Sequence, residues 1–386
     1  MTADCVCKPF PGKACGAEPR QGRKEETMAY FDQKPLVIGN LTVPTPVVQG
    51  GMGIGISLSG LASAVANEGG LGVLSAAVIG MMHKETAATR DNITAVRQEI
   101  RKARSMTKGV LGINIMVALS DFEDMVKASI EEGIDVIFAG AGLPLNLPAY
   151  VEKGCKTKLV PIVSSARAAK TVTRWWQEKY RYIPDAFVVE GPLAGGHLGF
   201  KPEQIDDPAY RLEKLVPEVI EAVRPMEEAA GRKIPVIAAG GIFTGADIRK
   251  FFKLGASAVQ MATRFVATDE CDADIAFKNA YVQCKKEDIG IITSPVGMPG
   301  RAIVNDFLSE AALGNKHPQV CPFHCISTCK QKESPYCISM ALINAGKGKL
   351  ENGFAFVGAN GYKVKEIVPV KKLFETLAEE YRQSGE

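Results

Sequence analysis

The stretch Ala186-Phe187-Val188-Val189-Glu190-Gly191-Pro192-Leu193-Ala194-Gly195-Gly196-His197 decides how this chain folds. It begins with an unbroken apolar run, which is typical of a parallel strand buried on both faces. Glycines then allow the backbone to approach a ligand closely. The stretch ends on one of only four histidines in the chain. This pattern predicts a buried strand that leads into a functional loop.

Apolar runs of the same kind lie on both sides of that stretch, and helix-like segments separate them. The predicted strands are 46–49, 71–75, 111–116, 136–139, 159–163, 186–190, 235–239 and 258–261. The main predicted helices are 57–68, 93–105, 122–132, 166–179, 215–230 and 245–254. Eight such units match an α/β fold of the TIM (β/α)8 barrel type. A doubly wound open sheet is the alternative. In such a sheet only the strands at the switch point would bring their glycine-rich and polar ends together.

The rest of the chain departs from this repeat. We assign the barrel to residues 28–310, and residues 1–27 to a disordered N-terminal extension that contains Cys5, Cys7 and Cys15. Residues 291–301 are rich in proline and glycine and are interpreted as a loop. Residues 311–386 are predicted to form a cysteine-rich helical cap with a C-terminal amphipathic helix at 370–381.

Composition excludes several classes of protein. The chain of 386 residues has 46 basic and 43 acidic residues, so its net charge of +3 does not indicate a nucleic-acid partner. No run of 18 uncharged apolar residues predicts a membrane-spanning helix, and no apolar signal segment is present. We therefore expect a cytoplasmic protein that acts on a small-molecule substrate, and a homodimer stays open.

The predicted strand ends carry glycines and isolated polar side chains. Strand 1 ends in Gln49-Gly50-Gly51-Met52, where glycines clear space for a ligand. Asn114 interrupts the apolar run of strand 3, and a buried amide must be hydrogen-bonded. It is either a structural amide or a partner for a heteroaromatic ring, and the sequence leaves both readings open.

Strands 7 and 8 end in loops that suit a phosphate group. The first loop has the sequence Ala239-Gly240-Gly241-Ile242, and the second has Gln260-Met261-Ala262-Thr263. Loops at these two places in a TIM barrel often bind phosphate through backbone N–H groups. A flat, phosphorylated ring above strands 1, 4 and 6 is therefore the predicted cofactor. The GxGxxG pattern of a Rossmann NAD site does not follow strand 1.

With these residues in view, the chain resembles the nitronate monooxygenase (2-nitropropane dioxygenase-like) family and the similar flavin-dependent enoyl-ACP reductases. The resemblance covers about residues 34–310. The matching motifs are Gln49-Gly50-Gly51-Met52, Gly112-Ile113-Asn114-Ile115-Met116, Glu190 through His197, Ala239-Gly240-Gly241-Ile242, Gln260 through Phe265, and Ser294-Pro295-Val296-Gly297-Met298-Pro299-Gly300-Arg301.

The resemblance implies an FMN-binding barrel in which His197 is the catalytic residue. The motif positions that contact FMN in the family fall on Asn114, Glu190, Gly195, Gly241, Gln260, Met261, Ala262 and Thr263. The implied activity is oxidation of alkyl nitronates with O2. The alternative is NAD(P)H-dependent reduction of enoyl thioesters, and a flavin- or cluster-binding sensor without turnover is a third reading.

Both reactions have a use for a histidine at position 197. A neutral imidazole accepts a proton from the substrate, and a protonated one stabilises a nitronate or enolate oxygen. Arg301 is predicted either to close over the site or to be a solvated surface residue.

A cluster of cysteines near the C-terminus departs from the simple family pattern. Cys321, Cys325, Cys329 and Cys337 follow a Cx3Cx3Cx7C spacing. In a helix the first three would share one face. Four thiolates predict a zinc or iron–sulfur site, although the spacing fits neither zinc ribbons nor ferredoxins. A packed stripe of reduced thiols is the alternative.

Overall fold

The computed structural model describes residues 30–385, so the predicted N-terminal extension lies outside the described residues. The strands are β1 Leu36–Ile38, β2 Leu41–Val43, β3 Val47–Gln49, β4 Gly72–Ser75, β5 Leu111–Met116, β6 Val136–Gly140, β7 Lys158–Val163, β8 Phe187–Glu190, β9 Gly196–His197, β10 Val236–Ala239, β11 Ala258–Met261, β12 Ile289–Thr293 and β13 Pro299–Ile303. The α-helices are α1 Ser59–Asn67, α2 Lys84–Ala87, α3 Asn92–Met106, α4 Phe122–Glu131, α5 Ala166–Tyr180, α6 Leu212–Ala230, α7 Gly245–Lys253, α8 Thr263–Val266, α9 Ile275–Gln283, α10 Asp306–Ala312, α11 Ile338–Gly346 and α12 Val370–Gln383.

Eight parallel strands form the predicted TIM barrel. Their order in the sheet is β3-β11-β10-β8-β7-β6-β5-β4. The ring closes between β3 and the residue before β4, where the Leu71 amide donates to the Val47 carbonyl at 2.9 Å and the Gln49 amide donates to the Leu71 carbonyl at 3.0 Å. The C-terminal ends of all eight strands therefore meet at one face.

Side chains in the barrel strands alternate between the interior and the surrounding helices. In β8, Val188 packs inside the barrel, whereas Phe187 and Val189 pack against the helices. This period of two turns the next residue, Glu190, into the mouth of the barrel. The same alternation turns two further polar side chains inward, Asn114 of β5 and Gln260 of β11.

The opposite end of the barrel is filled by a hairpin that the sequence did not predict. Strands β1 and β2 pair antiparallel, and Leu36, Ile38 and Val43 are buried with the interior residues of the barrel. This plug leaves the C-terminal face as the end at which a ligand binds, which is the usual arrangement in TIM barrels.

A small antiparallel sheet stands beside the mouth of the barrel. Strand β13 pairs with β12 and with the two-residue β9, in the order β12-β13-β9. The interpretation of residues 291–301 as a loop was therefore wrong. Only the turn between the two strands is irregular, and β13 aligns Gly300 with His197.

The cysteine-rich segment is not the predicted helix. Residues 321–329 are irregular and run beside residues 118–120, where the Ser120 amide donates to the Cys325 carbonyl at 3.0 Å and the Ser327 amide donates to the Ala118 carbonyl at 2.9 Å. These hydrogen bonds between two distant segments of the chain replace the intrahelical hydrogen bonds that the cysteine spacing suggested. Helix α11 follows the segment, and α12 packs against α7 and α1. In the described part of the chain, no helix combines the length and apolarity needed to cross a membrane.

Candidate active site

A cavity of about 460 Å³ opens at the mouth of the barrel. Residues from the ends of six barrel strands, from β9 and from the chain after the barrel line it. A smaller cavity of about 70 Å³ adjoins it beneath the loops after β10 and β11. The two share Glu190, Gly195, Gln260, Ala262, Thr263 and Gly358 in their walls. A ligand with a large flat part and a small terminal group suits this pair of cavities.

Several polar side chains face the large cavity from the barrel strands. Asn114, Glu190 and Gln260 line it, and none of them is hydrogen-bonded through its side chain to another described residue. Because polar groups inside proteins are normally paired, these two amides and one carboxyl group indicate a ligand with complementary donors and acceptors. Gly51 keeps the space in front of Asn114 open, since a Cβ at this position would lie 2.5 Å from the Asn114 Cβ.

The small cavity has the features of a phosphate site. Gly240 and Gly241 line it with φ of +95° and +83°, a conformation that favours glycine. The Thr263 hydroxyl accepts a hydrogen bond from the Gly358 amide at 3.2 Å, and the Asn360 side chain donates to the Gly241 carbonyl at 2.6 Å. Residues 358–360 therefore close the small cavity, although no sequence pattern predicted that this part of the chain would reach it.

His197 stands at the edge of the large cavity, on the strand β9. Its Nε2 lies 2.7 Å from the Ser294 hydroxyl, and its ring meets the edge of Phe356 with centroids 5.0 Å apart. Its Nδ1 has no hydrogen-bond partner among the residues that the structure describes. These two contacts fix the orientation of the imidazole and leave Nδ1 available to a ligand.

Burial shifts His197 and Glu190, which both line the large cavity, towards their neutral forms. Desolvation lowers the pKa of His197 to about 4 and raises the pKa of Glu190 to about 7. The imidazole of His197 is therefore uncharged at neutral pH. Perturbed groups in a cleft are typical of functional sites.

Arg301 holds the loop that connects Glu190 with His197. Its side chain is only 6% exposed, and its Nη1 donates to the Pro192 carbonyl at 2.6 Å and to the Ala194 carbonyl at 2.8 Å. Burial lowers the pKa of this guanidinium. The interpretation of Arg301 as a solvated surface residue was wrong. Arg301 holds the loop in place through these two hydrogen bonds and does not close over the cavity.

The structure brings the predicted cofactor and catalytic residues together around the two cavities. Gly51, Met52 and Asn114 line the large one, Gly240, Gly241 and Met261 line the small one, and Glu190, Gly195, Gln260, Ala262 and Thr263 line both. Met261 lines the small cavity through its backbone, because its side chain is buried against the helices. Sequence reasoning missed the walls formed by Tyr281, Ile326, Ile338, Ser339, Leu342, Phe356 and Val357.

The four C-terminal cysteines do not form the predicted metal site. Within residues 30–385 no group of three or more histidine, cysteine or carboxylate side chains is arranged to hold a metal ion. Cys325 Sγ lies 2.9 Å from the Ser339 hydroxyl, and Cys329 Sγ lies 3.5 Å from the Ser334 hydroxyl. None of the four cysteines forms a disulfide bond. Burial raises the pKa of Cys325 to about 11, so this thiol is protonated at neutral pH.

The residues present fit an FMN molecule. The unpaired amide and carboxyl groups of Asn114, Glu190 and Gln260 match the polar edge of an isoalloxazine ring and the hydroxyls of its side chain. The loop glycines and Thr263 match a terminal phosphate.

Comparison with known proteins finds similarity to one family of enzymes. A family model described as nitronate monooxygenase matches residues 34–380. The chain is 32% identical over 272 residues to the (3aS,4S,5R,7aS)-5-hydroxy-7a-methyl-1-oxo-octahydro-1H-indene-4-carboxyl-CoA dehydrogenase of Mycobacterium tuberculosis, a match that covers 70% of this chain and 66% of the relative, just under two thirds of its length. It is 26% identical over 302 residues to the "Probable nitronate monooxygenase" of Staphylococcus saprophyticus, covering 71% of this chain and 79% of that one.

A solved structure extends the similarity to the whole fold. The structure of FabK from Thermotoga maritima superposes with a TM-score of 0.67 at 29% identity, and the match covers 88% of this chain and 93% of that one.

Proposed function

The chain belongs to the nitronate monooxygenase family, and from this membership we propose that it is an FMN-dependent oxidoreductase that oxidises alkyl nitronates with O2. The observation that carries the proposal is that the unpaired polar groups of Asn114, Glu190 and Gln260 line the same cavity as His197, beside a second cavity large enough for a phosphate. When bound, FMN supplies the electron transfer that no side chain in the cavity provides.

The protein's own groups bind and orient the reactants. Asn114 and Gln260 would hold the polar edge of the flavin ring, and the loops after β10 and β11 would hold its phosphate. His197 donates from Nδ1 to an oxygen of the nitronate, where a preorganised donor stabilises negative charge in a site with little water. The apolar walls from Ile326, Ile338 and Leu342 exclude water from the reacting groups.

We predict that Thr263→Val weakens FMN binding by about tenfold or more, because a hydrogen bond to a charged group contributes about 1.5–3 kcal/mol. The dissociation constant is measured by quenching of flavin fluorescence. Riboflavin, which lacks the phosphate, is the matched control, and its affinity is expected to stay the same. An equal loss for both flavins would mean that Thr263 does not serve a phosphate.

A second candidate is oxidation or reduction of an acyl thioester at the same site. It is supported by the similarity to a relative named as a carboxyl-CoA dehydrogenase. The apolar wall from the cap would pack against an acyl chain, and the donor at Nδ1 of His197 would serve the thioester oxygen equally well. If the reaction is a reduction, NAD(P)H is the reductant, and if it is an oxidation, NAD(P)+ accepts the electrons.

Anaerobic mixing of the purified protein with one reactant at a time separates these functions. We expect an alkyl nitronate alone to bleach the flavin absorbance, and air to restore it with formation of a carbonyl compound and nitrite. Bleaching by NADH or NADPH only, followed by reoxidation with crotonyl thioester, would replace nitronate oxidation with thioester reduction. A flavin that none of these reactants bleaches would favour the sensor and contradict both enzymatic proposals.

A further inference from the structure

Ser294 lies behind the imidazole of His197. It follows β12 directly and is only 2% exposed, and its hydroxyl is 2.7 Å from Nε2 of His197. His197 lines the large cavity, whereas Ser294 does not. A hydroxyl in this place does not touch a substrate, so any effect that it has on the reaction is transmitted through the histidine.

The hydrogen bonds around this hydroxyl identify which nitrogen of His197 carries the proton. A serine hydroxyl donates one proton and accepts through two lone pairs. Its other described neighbour is the Val296 amide at 3.4 Å, which is a donor, so Nε2 of His197 is the acceptor that remains in the described part of the chain. If Nε2 instead carried the proton, the buried serine proton would have no acceptor, which is unfavourable.

We propose that Ser294 is a positioning residue that donates to Nε2 of His197 and so keeps the imidazole proton on Nδ1, facing the cavity. His197 then acts as a neutral N–H donor to a substrate oxygen, and it does not act as a base. The inference rests on the proposed function for its catalytic meaning, because a donor at this position serves the oxygen of a nitronate or of a thioester. The tautomer itself is a property of the protein alone.

The tautomer is measured by long-range ¹H–¹⁵N correlation spectra of the full-length flavin-bound protein labelled at its histidines. The chain has four histidines, and the signals of His197 are those that disappear in His197→Asn. We expect the proton on Nδ1 in the unchanged protein and in Ser294→Thr, which keeps the hydroxyl. In Ser294→Ala we expect a mixture of tautomers or the proton on Nε2, because the partner of Nε2 is gone.

Turnover provides the second readout. Ser294→Ala is expected to lower kcat by about tenfold with little change in KM, and Ser294→Thr is expected to restore most of the rate. Ser129→Ala is the matched control, because Ser129 is also buried but donates to Met125 within α4, far from the site, and should change neither readout.

A proton on Nε2 in the unchanged protein would overturn the proposal, as would a Ser294→Ala variant with the tautomer and kcat unaltered. If neither a nitronate nor a thioester is turned over, the proposed function fails, but the spectra still decide the role of Ser294. If turnover is found and the proton lies on Nε2, only the inference about Ser294 fails.

Discussion

A His197→Asn variant is expected to bind FMN as tightly as the unchanged protein and to turn over its substrate about 10²- to 10⁴-fold more slowly, which is the usual contribution of a positioned proton donor or acceptor. The residues expected to hold FMN lie on the barrel strands and their loops, so the substitution leaves them in place. Ser294 and Phe356 fix the imidazole in the unchanged protein. The substitution removes the Nδ1 group that would contact the substrate. The rate is measured as flavin reduction in an anaerobic stopped-flow experiment, and binding is measured by flavin titration.

His324→Asn is the matched control for this variant. His324 is exposed and has a φ of +48°, a backbone conformation that asparagine adopts more readily than most residues. It should therefore change neither the rate nor FMN binding. Flavin reduction at the normal rate in His197→Asn would show that His197 takes no part in the reaction.

Substituting Arg301 by alanine is expected to have the second large effect, on both stability and activity. The carbonyls of Pro192 and Ala194 would lose their buried donor, and each unsatisfied group costs about 1–3 kcal/mol, so we expect the free energy of unfolding to fall by about 2–6 kcal/mol. The loop that carries Gly195 and His197 would relax. A shift of about 1 Å at a reacting group lowers the rate by about 10²-fold.

Urea unfolding and steady-state turnover measure the two consequences separately. Arg224→Ala is the control, because Arg224 is largely exposed and pairs with Glu221 on the surface of α6, where an ion pair contributes little. If Arg301→Ala loses stability but keeps its full rate, Arg301 is structural and does not position His197.

The barrel was predictable because each strand is a local apolar run with clear limits. The predicted 111–116 and 258–261 coincide with β5 and β11, and the other six strands agree within a residue at either end. The sheet β12-β13-β9 was not predictable, since β9 has two residues and pairs with a strand about a hundred residues later that begins with Pro299. Such a pairing is decided by tertiary contacts and leaves no periodic pattern.

The residues of the candidate site were likewise predictable only in part. Asn114, Glu190 and Gln260 were recognisable as polar residues at the ends of apolar strands, and the period of two explains why all three face inward. Phe356, Gly358 and Asn360 have no such mark, because they reach the cavities only through the path of the chain after the barrel. The cysteine spacing misled because it matches a helix period, whereas the segment forms extended contacts with residues 118–120.

Translation passes through all eight barrel strands before it reaches the residues that close the two cavities. A nascent chain that has been made as far as Met261 contains every barrel strand, but it lacks Phe356 against His197 and Asn360 against Gly241. A flavin bound to such a chain would exchange with the surrounding pool through an open mouth. If the site holds FMN as proposed, retention of the cofactor is expected only after residue 360 has been synthesised, which would tie cofactor loading to a late stage of biosynthesis.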